Sequence, residues 1–216
     1  MMKVLVIGAN GQIGKQLVAM LQENEEHAVR AMVRSDAQAK ELQERGIEAA
    51  VVSLEGSVED IANAATGCDA IVFTAGSGGN TGHDKTLLID LDGAAKTVEA
   101  AERVGINRYI MVSAIQAQHR DKWNENLKPY YVAKHYADKI IEQSKLAYTI
   151  IRPGGLLNEK GTGEIKVAEN ISGGSIPRED VAKTILHVLT EENTYNKSFD
   201  LISGHHAIPA ALQQVN

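Results

Sequence analysis

The sequence is poor in the features that mark several protein classes. A single cysteine, Cys68, stands among 216 residues, which excludes an internal disulfide and favours a reducing compartment. No apolar run approaches the roughly 18 residues that a membrane-spanning helix requires. Basic side chains are in the minority: 22 Lys and Arg stand against 28 Asp and Glu, and the net charge of −6 argues against a nucleic-acid partner.

Targeting and metal-binding signals are missing as well. The first predicted strand begins at Lys3, which leaves no space for a signal peptide, and we therefore expect a cytoplasmic protein. The seven histidines have no spacing typical of a metal centre, and His205 and His206 fall in a predicted tail, so no metal is expected. The oligomeric state stays open between a monomer and a homodimer.

A glycine-rich turn near the start is the strongest positive feature. Residues 3–14 read Lys-Val-Leu-Val-Ile-Gly-Ala-Asn-Gly-Gln-Ile-Gly, an apolar strand followed by a turn and the start of an amphipathic helix. Gly8 permits the sharp turn, Gly11 lets a ligand approach the backbone, and Gly14 lets the helix pack closely on the strand. The amides at the helix start and the helix dipole form a pyrophosphate site. The turn therefore predicts dinucleotide binding.

A basic residue follows the second predicted strand, at residues 27–33. In dinucleotide folds, an acidic residue about 20 positions after the glycine motif binds the ribose of NAD, whereas a basic residue there accommodates the 2′-phosphate of NADP. Arg34 lies 20 residues after Gly14, and its guanidinium can bind a phosphate through two hydrogen bonds. Ser35 adds a hydroxyl group, and Asp36 is placed to cap the next helix. The pattern favours NADP over NAD.

Strands and helices alternate along the chain. We predict strands at residues 4–7, 27–33, 47–54, 69–74, 108–112, 148–151 and 198–202, and helices at 37–44, 57–65, 85–104, 130–144 and 178–189, besides the helix after the glycine turn. This alternation predicts an α/β fold, a parallel sheet with helices on both faces and ligands at the carboxyl ends of the strands. We expect a single domain over residues 1–216, with 154–177 and 203–216 forming a minor substrate lid.

The helix predicted at residues 85–104 has a clear apolar pattern. Its expected apolar face consists of Leu87, Leu88, Leu91, Ala94, Ala95, Val98 and Ala101. Asp90 and Asp92 cannot both point inward from one such helix. We interpret both as solvated, and the alternative is that one of them lines the pocket.

A tyrosine and a lysine open the helix that follows the fifth strand and a loop at residues 116–128, which we expect to be exposed. Tyr130 and Lys134 are four residues apart and therefore share one face of that helix. A neighbouring ammonium group favours the phenolate and lowers the pKa of a tyrosine towards the range useful for acid–base chemistry. Lysine can also bind the ribose of a nicotinamide nucleotide. Ser113, at the end of the fifth strand, can orient a substrate carbonyl group, so these three residues form a candidate catalytic set.

Nearly the whole chain resembles the atypical short-chain dehydrogenases/reductases, in the compact NAD(P)-binding group also described as NAD-dependent epimerase/dehydratase-like. The matching segments are Gly8-Ala-Asn-Gly11-Gln-Ile-Gly14, Arg34, Tyr130-Tyr-Val-Ala-Lys134, Tyr148-Thr-Ile-Ile-Arg-Pro-Gly-Gly155 and Ile176-Pro-Arg-Glu-Asp-Val-Ala182. The resemblance implies a Rossmann-type, doubly wound, three-layer α/β/α fold. It also implies Ser113, Tyr130 and Lys134 as the catalytic set, and it places Arg152 and Pro153 near the nicotinamide.

The predicted cofactor contacts follow the strands at their carboxyl ends. They are Gly8, Asn10, Gly11, Gln12, Ile13, Gly14, Arg34, Ser35, Ser53, Leu54, Ala75, Gly76, Ser77, Ser113, Lys134, Arg152 and Pro153. Of these, Ser53 and Leu54 are expected near the adenine, and the second glycine turn after the fourth strand is expected to line the pyrophosphate and the nicotinamide ribose.

The first hypothesis is an NADPH-dependent oxidoreductase that acts on a small carbonyl-type substrate, with Tyr130 as the proton donor or acceptor. The short lid favours a small substrate, because it would enclose a nucleotide-sugar poorly. Three alternatives stay open. They are a sugar epimerase or dehydratase with tightly held NAD, a flavin or biliverdin reductase-like enzyme, and an NmrA-like protein that senses NAD(P) without catalysis.

Overall fold

The computed structural model describes residues 1–79 and 81–215, which form one domain around a central sheet. Asn80, in the loop predicted after the fourth strand, and Asn216, in the predicted tail, lie outside the described residues. The strands are β1 (Met2–Ile7), β2 (His27–Val33), β3 (Glu48–Val51), β4 (Ala70–Phe73), β5 (Arg108–Val112), β6 (Ala147–Pro153), β7 (Gly155–Leu157), β8 (Glu164–Ala168), β9 (Ser175–Pro177), β10 (Lys197–Ser203) and β11 (His206–Ala207).

Helices connect most of these strands. They are α1 (Gln12–Glu23), α2 (Asp36–Gln43), α3 (Val58–Ala65), α4 (His83–Lys85), a π-helical segment (Thr86–Gly93), α5 (Ala94–Val104), α6 (Lys128–Gln143), α7 (Arg178–Val188) and α8 (Ile208–Leu212), with 3₁₀ turns at Arg120–Lys122, Glu125–Leu127 and Glu192–Thr194. In the described residues, no helix is both long enough and apolar enough to cross a membrane.

The main sheet is parallel through most of its width. Its strand order is β3-β2-β1-β4-β5-β6-β10-β8-β11, and the first seven of these strands run parallel, whereas β8 and β11 are antiparallel to their neighbours. Chain order reverses between β1 and β4, because β2 lies on one side of β1 and β4 on the other. The predicted doubly wound α/β fold is confirmed, and its ligand edge is the carboxyl edge at this switch point.

Alternating side chains of the central strands supply the two faces of the core. Val4 and Val6 of β1 pack towards α1 and α7, and Leu5 and Ile7 pack towards α3, α5 and α6. All four are fully buried. Burial on both faces explains why β1 is an unbroken apolar run, as parallel strands between two helical layers are.

The long helix predicted at residues 85–104 is interrupted by the π-helical segment Thr86–Gly93. The wider winding turns side chains away from the positions that an α-helix would give them. As a result, Leu87 and Leu88, predicted on the apolar face, are 50% and 39% exposed. Asp90 is fully buried, so its interpretation as a solvated residue is wrong, whereas Asp92 is half exposed and pairs with Lys96 at the surface.

The region predicted as a lid contributes to the sheet. β8 pairs with β10, and β11 pairs with β8, so both extend the main sheet at its antiparallel edge. β7 and β9 form a separate parallel two-stranded sheet. β6 also runs through Pro153, whereas the sequence predicts that Arg152 and Pro153 end that strand. The short strands β7, β8, β9 and β11 were not predicted, because they lack the apolar runs that mark the central strands.

Candidate functional site

The glycine turn joins the end of β1 to the start of α1 at the centre of the sheet. Gly8 has a φ of +82°, a left-handed conformation that glycine adopts without strain. A Cβ atom at Gly8 would lie 2.6 Å from the backbone nitrogen of Ala75, in the loop after β4. A Cβ atom at Gly14 would overlap the carbonyl oxygen of Gly8. Glycine at both positions therefore allows the end of β1, the start of α1 and the loop after β4 to meet.

The first turn of α1 is uncapped by the described side chains. Gly11 is the N-cap residue, and the first turn carries no acidic residue. Asn10, Gly11 and Gln12 are exposed, whereas Ile13 is buried in the core. Backbone N–H groups and the positive end of the helix dipole therefore face solvent, which suits the diphosphate of a dinucleotide.

Arg34 follows β2, the strand next to β1, and its side chain is exposed. Within the described residues, no carboxylate forms an ion pair with its guanidinium. The Ser35 hydroxyl caps α2 by accepting a hydrogen bond from the Gln38 amide at 3.4 Å. The cap is therefore Ser35, and the prediction that Asp36 caps this helix is wrong, since Asp36 lies in the first turn.

The predicted adenine contacts occupy different environments. Ser53 is exposed, and its hydroxyl accepts a hydrogen bond from the Glu55 amide at 3.1 Å. Leu54 is buried, and its side chain packs against Gly93 at the end of the π-helical segment. Both residues follow β3, at the same edge of the sheet as the glycine turn, and their contact with adenine stays a prediction.

The loop after β4 is tied to the π-helical segment. The Ser77 amide donates a hydrogen bond to Asp90 Oδ2 at 2.9 Å, and the hydroxyl groups of Ser77 and Thr86 are 3.3 Å apart. A Cβ atom at Gly76 would lie 3.2 Å from Asp90 Oδ1. The second glycine turn, which is predicted to line the cofactor, is therefore held in place by a buried carboxylate.

The same carboxylate binds the lysine of the predicted catalytic set. Lys134 is 3% exposed, and its Nζ lies 3.2 Å from Asp90 Oδ1. Its ammonium also donates a hydrogen bond to the carbonyl oxygen of Val112, the last residue of β5, at 3.3 Å. Although burial lowers the pKa of Lys134, the neighbouring Tyr130 and Asp90 raise it overall. Lys134 is therefore a buried ammonium group.

Tyr130 lies beside this ammonium and is half-buried. Lys134 Nζ is 5.7 Å from the centroid of the Tyr130 ring. Burial raises the pKa of Tyr130, and Lys134 opposes this effect without cancelling it. The predicted interaction between the two side chains is therefore present and acts on the pKa of Tyr130 in the predicted direction. The expectation of a net lowered pKa is wrong, because removal from water disfavours the phenolate more strongly.

Ser113 is buried at the end of β5, and no described group makes a well-oriented hydrogen bond with its hydroxyl. It lies beside Asp138 of α6. Burial raises the pKa of Asp138, and the Arg152 guanidinium and the Ser113 hydroxyl oppose that rise. The Ser113 hydroxyl therefore lies close to a buried carboxyl group, and its contact with a substrate stays a prediction.

Arg152 points into the protein. It is 3% exposed, and its guanidinium lies 2.9 Å from Asp138 Oδ2, 3.5 Å from Glu142 Oε1 and 3.0 Å from the Ser198 hydroxyl. These partners occupy most of its donors, so a contact between Arg152 and the nicotinamide stays a prediction. The backbone of Pro153 accepts a hydrogen bond from the Ile115 amide at 3.0 Å.

Polar residues recur at every fourth position of α6. They are Tyr130, Lys134, Asp138 and Glu142. The first two are predicted site residues; Asp138 and Glu142 were not predicted, although their spacing continues the same helix face. Asp90 pairs with Lys134, and Arg152 pairs with Asp138 and Glu142, so these side chains form a polar network along α6.

A second polar cluster lies under the loop that follows β5. Asp200 is fully buried; its Oδ2 accepts a hydrogen bond from the Ile171 amide at 2.8 Å, and its Oδ1 accepts one from Gln118 Nε2 at 3.3 Å. Gln116, at a φ of +67°, donates its side-chain amide to the Ile171 carbonyl. The prediction of an exposed loop at residues 116–128 is therefore wrong at its start.

Aromatic side chains pack next to Tyr130. Trp123 and Tyr131 are stacked, with ring centroids 6.1 Å apart, and the Trp123 indole donates a hydrogen bond to the Gln116 carbonyl at 3.2 Å. In the part of the chain that the structure describes, no group of three His, Cys, Asp or Glu side chains is arranged to hold a metal ion.

Comparison with known proteins identifies the family. The model of the NAD(P)H-binding family matches residues 8–192. The chain is 61% identical over 214 residues to the "Uncharacterized sugar epimerase YhfK" of Bacillus subtilis, covering 99% of this chain and 100% of that protein.

This chain belongs to the NAD(P)H-binding family.

Solved structures agree with that membership. A protein from Bacillus halodurans, assigned by name to the NAD-dependent epimerases/dehydratases, is 42% identical with a TM-score of 0.93 and covers 99% of this chain and 100% of that chain. The oxidoreductase YlbE from Lactococcus lactis is 31% identical with a TM-score of 0.89, covering 99% and 96%. The predicted resemblance to compact, epimerase-like short-chain dehydrogenases/reductases is confirmed.

Proposed function

We propose that this NAD(P)H-binding protein is an NADP(H)-dependent oxidoreductase that acts on a small carbonyl-type substrate, with Tyr130 as its acid–base residue. The observation that carries the proposal is the buried Lys134 ammonium beside the half-buried Tyr130 ring, at the sheet edge that also bears the glycine turn. An ammonium group beside a tyrosine hydroxyl on one helix face is an arrangement that acid–base catalysis uses, and this favours an enzyme over a non-catalytic NAD(P) sensor.

Arg34 supports NADP rather than NAD. Its exposed guanidinium follows β2, where dinucleotide folds place the group that meets the ribose 2′-position. The glycine turn and the first turn of α1 would hold the diphosphate, and the loop at Ala75–Ser77 would line the nicotinamide half. When bound, NADP(H) supplies or accepts the hydride.

Tyr130 would transfer the proton. Its pKa is raised in the free protein, so at neutral pH the hydroxyl group is protonated and can donate to a carbonyl oxygen, which favours the direction of reduction. Lys134 would stabilise the phenolate that remains. The Ser113 hydroxyl would donate a second hydrogen bond to the same carbonyl oxygen and thereby orient the substrate.

A sugar epimerase is the second candidate, because the Bacillus subtilis relative carries that name at 61% identity. Such an enzyme would hold NAD tightly and return the hydride to the same substrate. Co-purification of bound NAD, together with a preference for NAD in titration, would select this candidate.

The test combines cofactor titration with a tyrosine variant. We expect NADPH to bind more tightly than NADH when followed by nucleotide fluorescence. Tyr130→Phe should reduce NADPH-dependent turnover of a small carbonyl substrate, found by screening, by about 100- to 10,000-fold, since general acid catalysis contributes that much. NADPH affinity should stay nearly constant.

Tyr131→Phe is the matched control. Tyr131 is adjacent in sequence and stacks on Trp123, so the loss of its hydroxyl group should leave turnover near the wild-type rate. Equal turnover in Tyr130→Phe and Tyr131→Phe would rule out proton transfer by Tyr130, and a normal rate of Tyr130→Phe with a flavin acceptor would indicate a flavin reductase-like enzyme.

A further inference from the structure

Asp90 connects the two halves of the proposed site. One carboxylate oxygen accepts the Ser77 amide of the loop after β4, and the other lies 3.2 Å from the Lys134 ammonium of α6. The first of these segments is a predicted cofactor contact, and the second carries the predicted acid–base residue. Through its side chain, Asp90 is therefore in direct contact with both.

The π-helical segment is what brings Asp90 to this position. Asp90 is fully buried, whereas Leu87 and Leu88 of the same segment are exposed. An isolated carboxylate in such a place would be strongly destabilising, so Asp90 depends on the Ser77 amide and the Lys134 ammonium. Single π-helical turns inside longer helices occur frequently at functional sites.

Stability alone gives a weak account of this pair. Buried ion pairs contribute little net stability compared with apolar packing of the same volume, because both ions lose their hydration. The main effect of the pair is on geometry. If the Lys134 side chain took another rotamer, the buried Asp90 carboxylate would lose its ammonium partner.

We propose that Asp90 is a positioning residue, which holds the Lys134 ammonium at a set place between Tyr130 and the loop at residues 75–77 and balances its charge. This inference rests on the proposed function. The charged and titratable groups that act on Tyr130 are Lys134, Asp90, Tyr131 and Asp138. Asp90 is the nearest anion to Lys134 among the described ion pairs, so it controls how much of the ammonium charge reaches the tyrosine.

The experiment is a titration of Tyr130 in Asp90→Asn, followed by NMR of chains labelled with carbon-13 at the tyrosine ring carbon that bears oxygen. The Tyr130 signal is assigned by its loss in Tyr130→Phe. We expect the pKa of Tyr130 to fall below its wild-type value, because the variant site carries one negative charge fewer. Asn can still accept the Ser77 amide, so the loop stays in place.

Asp92→Asn is the matched control. Asp92 lies in the same π-helical segment, but it pairs with Lys96 at the surface, so the same substitution should leave the Tyr130 titration unchanged. Asp90→Glu keeps the charge and should leave the pKa of Tyr130 closer to the wild-type value than Asp90→Asn does. A Tyr130 pKa that is unchanged or raised in Asp90→Asn, with a lower melting temperature, would mean that Asp90 is only structural.

Two further measurements separate the possible failures. If Asp90→Asn does not fold, the double variant with Lys134→Met should recover folding, since it leaves no unpaired ion; an unfolded double variant would overturn the pairing. NADPH titration of the wild type tests the proposed function by itself. Failure of the wild type to bind NADPH would remove the proposed function, while the titration of Tyr130 would still decide the role of Asp90.

Discussion

Arg34 and Asp90 show how differently a single charged side chain can be placed at this site. Arg34 is exposed after β2 and has no ionic partner in the described residues, so its charge is available to a ligand. Asp90 is buried and paired, so its charge acts inside the protein, on Lys134, on Tyr130 and on the loop after β4. In the proposed function, the exposed charge of Arg34 selects the cofactor, and the buried charge of Asp90 holds Lys134 in position.

At the scale of the residue, Arg34→Ala should weaken NADPH binding by about ten- to a hundredfold. One hydrogen bond from a guanidinium to a phosphate contributes roughly 1.5–3 kcal/mol, and every 1.4 kcal/mol is tenfold in affinity. NADH affinity should not change, because NADH lacks the 2′-phosphate. Fluorescence titration with both nucleotides measures the difference.

The control is Arg45→Ala, which removes an exposed arginine from the turn before β3. It should leave both affinities at the wild-type values. A parallel loss of NADPH and NADH affinity in Arg34→Ala would show that Arg34 acts on binding in general and would contradict its selection of NADP.

At the scale of the element, the glycine turn works because α1 lies directly against the end of β1. The carbonyl oxygen of Gly8 occupies the space in which a side chain at Gly14 would lie. Backbone contact therefore fixes the start of α1, and the free amides of its first turn lie at the carboxyl edge of the sheet. This close contact makes the turn intolerant of even one added methyl group.

Gly14→Ala should lower the free energy of unfolding by about 1–3 kcal/mol, the usual cost of overpacking a filled site. It should also weaken NADPH binding, since α1 must move away from the turn. Gly173→Ala adds the same methyl group in open space and should change stability by less than about 0.5 kcal/mol. Urea unfolding measures both variants, and equal stability of the two would contradict the close packing of α1.

At the scale of the whole molecule, Asp200 joins parts of the chain that are distant in sequence. It lies on β10 and holds the Ile171 amide before β9 and the Gln118 side chain after β5. Burial raises the pKa of Asp200, although those two hydrogen bonds oppose the rise. Protonation of this carboxyl group is therefore linked to the folding of the entire domain.

The sign of this linkage follows from the raised pKa. The native state takes up the proton at a higher pH than the unfolded chain, so the contribution of Asp200 to the free energy of unfolding grows as pH falls through the native pKa. The growth ends below the unfolded pKa of about 3.9. The difference in stability between the wild type and Asp200→Asn should therefore shift in favour of the wild type as pH falls through the native pKa towards about pH 4.

Urea unfolding of both chains across that range measures the shift. The Asn side chain does not titrate, and all other titratable groups are present in both chains. The difference in stability between the two chains therefore reports the titration of Asp200 alone. A difference that stays constant, or that moves towards the variant as pH falls, would contradict a raised pKa at Asp200.

Local sequence signals predicted the regular elements well. β2 and β5 have the predicted bounds, because each is a short segment made mostly of apolar residues. Ser57 caps α3 and forms a reciprocal pair with Asp60, as a serine three residues before an acid indicates. Elements without such signals, such as β7 and β9, were missed.

The alternating fold, the glycine turn and the pairing of Tyr130 with Lys134 could be predicted from the sequence, because each depends on residues close together in the chain. The other features of the site depend on tertiary contacts. The π-helical winding turned Asp90 inward, β6 directed Arg152 onto α6, and burial reversed the expected change in the pKa of Tyr130. These outcomes depend on desolvation and on partners between 14 and 44 residues away in sequence, which no local pattern records.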